Sequence, residues 1–89
     1  MAIYSLRFKP TVEKDLFSIP RAVASRILIR IDQLPTNPFP PHSSKLQGAE
    51  RLYRLRVGDY CVVYEVDPES HTIVVQYVRH RREVYRSLR

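Results

Sequence analysis

The chain has one cysteine, Cys61, so no internal disulfide is available to it, and no Cys/His spacing resembles a zinc site. Nowhere do roughly 18 apolar residues follow one another, and residues 1–10 carry no long apolar run ahead of their first charges, so neither a membrane span nor a secretion signal is expected. A cytoplasmic protein without a membrane partner is the expectation. Repeats and low-complexity segments are absent apart from one proline cluster. Lysine is scarce: of 15 basic residues only Lys9, Lys14 and Lys45 are lysines, so the positive charge is almost wholly arginine. Arginine favours forked contacts with phosphates or carboxylates over diffuse solubilising charge. Acids are outnumbered, nine against 15, and the net charge of +6 draws anions such as nucleic acid or an acidic protein. At 89 residues there is room for one domain, 1–89, which excludes a multidomain enzyme built on a cofactor fold.

With 44% apolar residues the chain can bury a core. Residues 3–8 read as a strand, closed by Lys9-Pro10, with Pro10 in the first turn of a short helix over 11–17 whose Val12, Leu16 and Phe17 face inward. Pro20 opens a second helix to residue 34. Val23, Ile27, Ile31 and Leu34, flanked by Ala24 and Leu28, form its core stripe, with Arg26 and Arg30 on the opposite side. So short a break implies a helical hairpin. Four of the seven prolines fall in residues 35–41, a stiff extended connector, and Lys45-Leu46-Gln47-Gly48 follows as a turn.

The second half reads as β. Residues 52–57 alternate, Gly58-Asp59 is a two-residue hairpin connection, residues 60–66 return, Asp67-Pro68-Glu69-Ser70 turns again, and residues 72–78 form a further strand. A short helix is expected over 83–88. The fold class is therefore α+β: an N-terminal strand, a helical hairpin and three antiparallel strands, with the helices on one sheet face and the other face open for function.

Hairpin register gives that open face its contents. If Val57 pairs with Tyr60, Arg56 faces Cys61 and Arg54 faces Val63, while Tyr53, Val62 and Tyr64 point to the core. Pairing Val66 with Thr72 adds Val75 and Tyr77 to the open face, with Arg79 at its end. Such a surface can position a phosphate, and a tyrosine can stack on a base. Arginines alternating along a strand also serve solubility and edge protection. Surface positions are the default for His42 and His71. His80 lies within the basic cluster of 79–89, and Tyr85 is by default a packing residue.

The run Leu52-Tyr53-Arg54-Leu55-Arg56-Val57-Gly58-Asp59-Tyr60-Cys61-Val62-Val63-Tyr64-Glu65-Val66, preceded by Leu46-Gln47-Gly48 and closed by Val78-Arg79-His80-Arg81-Arg82-Glu83-Val84-Tyr85-Arg86, resembles the RelE/ParE superfamily of type II toxin–antitoxin toxins, on the RelE side. The resemblance spans nearly the whole chain. It implies a metal-independent, cofactor-free endoribonuclease (an mRNA interferase) that cleaves messenger RNA in the ribosomal A site. It also implies a cognate acidic antitoxin, and operator DNA bound through the toxin–antitoxin complex. By the same resemblance Arg54 and Arg56 bind and orient the scissile phosphate, Arg81 stabilises the transition state, and Tyr85 stacks at or protonates the cleavage site. His80 stands where relatives carry a histidine of acid/base use; Arg79, Arg82 and Tyr77, from their places on the open face and the basic tail, are the further residues expected to bind RNA.

The chain departs from the pattern at Cys61, where many relatives carry an arginine, and at Arg79, where a glycine is usual. The implied reaction is attack by an RNA 2′-hydroxyl on its own 3′ phosphate. Arginines can clamp that phosphate but hardly act as bases, so His80 or Tyr85 is left to move protons. Two other functions stay open at this point. One is a ParE-like gyrase inhibitor, and the other is a catalytically weak relative acting through antitoxin binding and operator autoregulation.

Overall fold

The structure, a computed structural model, describes residues 3–83. Tyr85, Arg86 and most of the helix expected over 83–88 lie outside the described residues, although residues 81–83 are already helical. The elements run β1 (Ser5–Phe8), α1 (Pro10–Phe17), α2 (Arg21–Asp32), β2 (Ser43–Lys45), β3 (Leu52–Val57), β4 (Tyr60–Asp67) and β5 (Thr72–His80). They form one five-stranded sheet in the order β1-β5-β4-β3-β2, antiparallel except that β1 lies parallel to β5. The helices cover one face, as the α+β reading requires.

Pro10 occupies the first turn of α1, where its missing N–H has no intrahelical acceptor to lose. Val12 is buried and Leu16 packs beside it. Phe17, expected inside, is 81% exposed instead, because it lies about 100° around the helix from Leu16 and α1 ends there. In α2, capped by Pro20, Ile27 and Ile31 are fully buried, and Leu34 completes the stripe from the turn that follows. These residues meet Leu55, Val57, Val62, Tyr64, Val66, Ile73, Val75 and Val78 from the sheet in a single core.

The proline segment is pinned to the domain at three points. Tyr64 Oη donates to the Pro38 carbonyl at 2.7 Å, an Arg30 terminal nitrogen to that of Pro41 at 3.2 Å, and Ser43 Oγ to that of Pro40 at 2.6 Å. Burial pushes the Tyr64 phenol up to about 12; the nearby Tyr53 adds to this, and the Ser43 hydroxyl works against it. Immediately afterwards comes β2, where the sequence pattern predicts only connector and turn. Its three residues pair with β3 as Ser43↔Leu55, Ser44↔Arg54 and Lys45↔Tyr53. Nothing in Ser-Ser-Lys favours a strand, and the pairing edge of β3 makes it one.

β3 and β4 pair in the expected register, with Arg56 opposite Cys61 and Arg54 opposite Val63. The register of β4 with β5 corrects the expectation. Thr72 pairs with Asp67, not Val66, and the ladder steps from Tyr64↔Val75 to Val63↔Tyr77, so that Gln76 is an extra residue in a β-bulge. Val75 consequently belongs to the helix-covered core and not to the open face, while Tyr77 and Arg79 do lie on the open face.

Candidate nucleic-acid interface

Two positions apart on a strand means the same side of the sheet, so Arg54 and Arg56 leave β3 together on the face the helices do not cover. Each is oriented by its Nε. Arg54 donates to Ser44 Oγ on β2 at 3.1 Å, and Arg56 donates to the Gly58 carbonyl in the β3–β4 turn, also at 3.1 Å. Gly58 sits at φ +60°, which together with the negative φ of Asp59 fits a type II′ hairpin turn. The same turn receives the third arginine, because the Arg81 amide donates to the Asp59 carbonyl at 2.8 Å. That bond continues the β4–β5 ladder one step past Tyr60↔His80 and sets Arg81 beside the turn.

Arg54, Arg56 and Arg81 thereby line one hollow of about 190 Å³ with His42, Ser43, Ser44 and Cys61. His42 holds a left-handed backbone at φ +70°, and its carbonyl accepts from the Arg56 amide at 3.0 Å. Cys61 forms the floor, buried with Val63 and Leu46, and Ala49, Leu52 and Tyr77 pack against them. Burial pushes the Cys61 thiol up, against the pull of the Arg54, Arg56 and Arg81 charges, so near neutral pH it is an uncharged thiol and not a nucleophilic thiolate.

Beside this hollow the Arg79 guanidinium lies over the Tyr77 ring, 4.6 Å from its centroid, a cation–aromatic pair on the same face. The remaining residues singled out in the sequence fall elsewhere. His80 does not join the arginines: it pairs with Tyr60, on the helix side, and their rings meet edge to face at 5.5 Å. His80 Nδ1 accepts from the Arg82 amide at 3.3 Å. Arg82 itself is exposed in the helical turn beyond the hollow. Sequence reasoning missed His42 and Ser44, whose place at the hollow follows from β2, an element with no signature of its own.

A concave arginine cluster with a neutral floor and an adjoining aromatic surface has the chemistry to hold a phosphate and to stack on a base, on a small basic α+β scaffold. The family described as "ParE toxin of type II toxin-antitoxin system, parDE" matches residues 6–85. The chain belongs to this family, within the RelE/ParE superfamily of type II toxin–antitoxin toxins, and its named relatives are RelE toxins. Toxin RelG of Mycobacterium tuberculosis is 31% identical over 84 residues, covering 93% of this chain and 97% of the relative. Toxin RelE3 of Methanocaldococcus jannaschii is 32% identical over 82 residues, covering 88% and 91%. Among solved structures, the archaeal RelE–RelB complex from Pyrococcus horikoshii contains a chain 33% identical, with TM-score 0.78, covering 89% of this chain and 96% of that one.

Proposed function

We propose that this toxin is a ribosome-dependent endoribonuclease that cleaves messenger RNA and is silenced by a cognate acidic antitoxin. The observation that carries the reading is the convergence of Arg54, Arg56 and Arg81 on one hollow, where the Arg54 and Arg56 side chains and the Arg81 backbone are each held by a hydrogen bond. Three guanidiniums fit the scissile phosphate better than they fit a protein carboxylate, because charge spreads over the phosphoryl oxygens as the 2′-oxygen attacks. In that step the 2′-oxygen forms a bond to phosphorus and gives up its proton. The bond from phosphorus to the 5′-oxygen breaks, and the departing oxygen takes a proton. The products are a 2′,3′-cyclic phosphate and a 5′-hydroxyl.

Always-protonated arginines serve as clamps in this scheme, and the neutral thiol of Cys61 adds no charge to them. Proton transfer is assigned to Tyr85, since His80 points to the other side of the sheet. Tyr77 and Arg79 hold the base next to the cleaved bond. RelB antitoxins occupy the related toxin in the Pyrococcus complex, and an acidic antitoxin segment is the partner whose charge complements this face. Binding of that complex to operator DNA would make the pair autoregulatory.

Purified toxin added to translating ribosomes should produce new 5′ ends within the message by primer extension, and none on free message. Because the matching family is described by ParE, gyrase poisoning is the second reading. Cells that filament with damaged DNA, while translation continues and messages stay intact, would establish it in place of the nuclease.

A further inference from the structure

The β-bulge at Gln76 decides which side chains accompany the arginines, and it lies where the edge of β5 away from β4 has no strand beside it. β1 pairs with β5 only over Thr72 to Val75, the last bond running from the Lys9 amide to the Val75 carbonyl at 2.9 Å. Beyond that point the β5 edge is taken up by α1. Thr11 Oγ1 donates to the Gln76 carbonyl at 3.3 Å, and Asp15 Oδ2 accepts from the Val78 amide at 3.0 Å. Two side chains four residues apart on a helix share one face, so the pair spans the bulge and meets the backbone groups on either side of Tyr77. With the regular pairing that the bulge replaces, Gln76 and Val78 would face the arginines, and Tyr77 and Arg79 would point under the helices.

We infer that Thr11 and Asp15 are positioning residues: they clamp the Gln76 bulge from α1 and thereby present the Tyr77–Arg79 pair on the arginine face. Neither residue lines the arginine hollow. The hydrophobic spacing cooperates with the clamp, since Val75 and Val78 lie in the same core under the helices although three positions apart, and an unbroken strand would send them to opposite faces. The consequence for RNA rests on the nuclease reading above. The clamp itself does not.

The test uses the full chain with Asp15→Asn, Asp15→Ala and Thr11→Val, each alone and combined with Arg79→Ala. Asn retains a carbonyl oxygen for the Val78 amide and is expected to stay near wild type. Asp15→Ala and Thr11→Val should raise KM for ribosome-bound message about tenfold or more, as expected when a contact is loosened from a distance, with a smaller change in kcat. Each should cost less once Arg79 is alanine, because only Tyr77 is then left to present. An equal loss in the Arg79→Ala background, or an Asn variant as impaired as Ala, overturns the inference.

Amide hydrogen exchange by NMR provides a readout independent of RNA. The Val78 amide should be protected in wild type and Asp15→Asn and should exchange at least about tenfold faster in Asp15→Ala, because an unpaired edge amide is open to solvent. Equal exchange in all three overturns the clamp. If wild type cuts no RNA, the nuclease reading fails and the exchange result still decides the clamp. If Asp15→Ala does not fold, the Gln76–Val78 exchange pattern of Thr11→Val decides it.

Discussion

Arg54, Arg56 and Arg81 come from two strand positions and a turn, yet each guanidinium or amide is tied to a different neighbour, so their convergence is built rather than incidental. Replacing any one with alanine should lower ribosome-dependent cleavage about 10²- to 10³-fold, the scale on which a preorganised donor to a charged transition state acts. Denaturation midpoints should hardly move. Lysine at Arg54 or Arg56 should recover only part of the loss, because a point charge does not reproduce the planar fork. The same experiments with His80→Ala should leave cleavage within a few-fold of wild type, whereas Tyr85→Phe should depress it. Cys61 presents the opposite expectation. Its thiol is buried and pushed toward the protonated form, so thiol reagents at pH 7 should label it only as fast as the domain unfolds, and Cys61→Ala should retain cleavage.

The β3–β4 hairpin and the proline segment are the elements on which the site depends. Gly58→Ala meets no atom within 4 Å of the added Cβ, so its cost is the left-handed backbone alone, about 1 kcal/mol in urea denaturation. Cleavage should fall with it, because the turn carbonyls that accept from Arg56 and Arg81 shift. In the proline segment, Tyr64→Phe removes the bond to Pro38 and should destabilise by about 1 kcal/mol near neutral pH. Its pH dependence is a second signature. The folded phenol titrates near 12 and the unfolded one near 10, so the stability tied to the protonated phenol is intact below pH 10 and is lost as pH rises toward 12. Wild type should therefore lose about 2 kcal/mol more than Tyr64→Phe across that interval, measured by denaturant midpoints.

These elements were unequally legible in the sequence. Alternation in residues 52–57 and the Gly58-Asp59 pair announced the hairpin and its register, because side-chain period and turn chemistry are local properties. β2 was not legible, since Ser43–Lys45 becomes a strand only by pairing with β3. The bulge was encoded in the core spacing of Ile73, Val75 and Val78, two positions and then three, but a two-residue period applied throughout conceals it and misplaces Val75.

At the scale of the whole molecule, four of the twelve arginines share one face. Three arginines line the hollow and a fourth lies over Tyr77 on the same face, while the helix-covered side carries the hydrophobic core. Arg54 and Arg56 were legible as face-mates by counting along one strand, whereas Tyr77 and Arg79 fell on the expected face only because a one-residue difference in register offset the bulge. His80 was misleading, because adjacency to arginines in sequence alternates sides on a strand. No helix among the described residues is long and apolar enough to cross a membrane. Binding of single-stranded RNA to this face should weaken with salt, with a slope of log affinity against log salt near −2 if three phosphate contacts form. An acidic antitoxin segment should compete with it. The most direct test of the central claim is primer extension on a translated message and on the same message without ribosomes, comparing wild type with Arg54→Ala/Arg56→Ala. New 5′ ends are expected only with ribosomes and wild-type toxin; intact message under translation, or identical cleavage by the double variant, would contradict the nuclease reading.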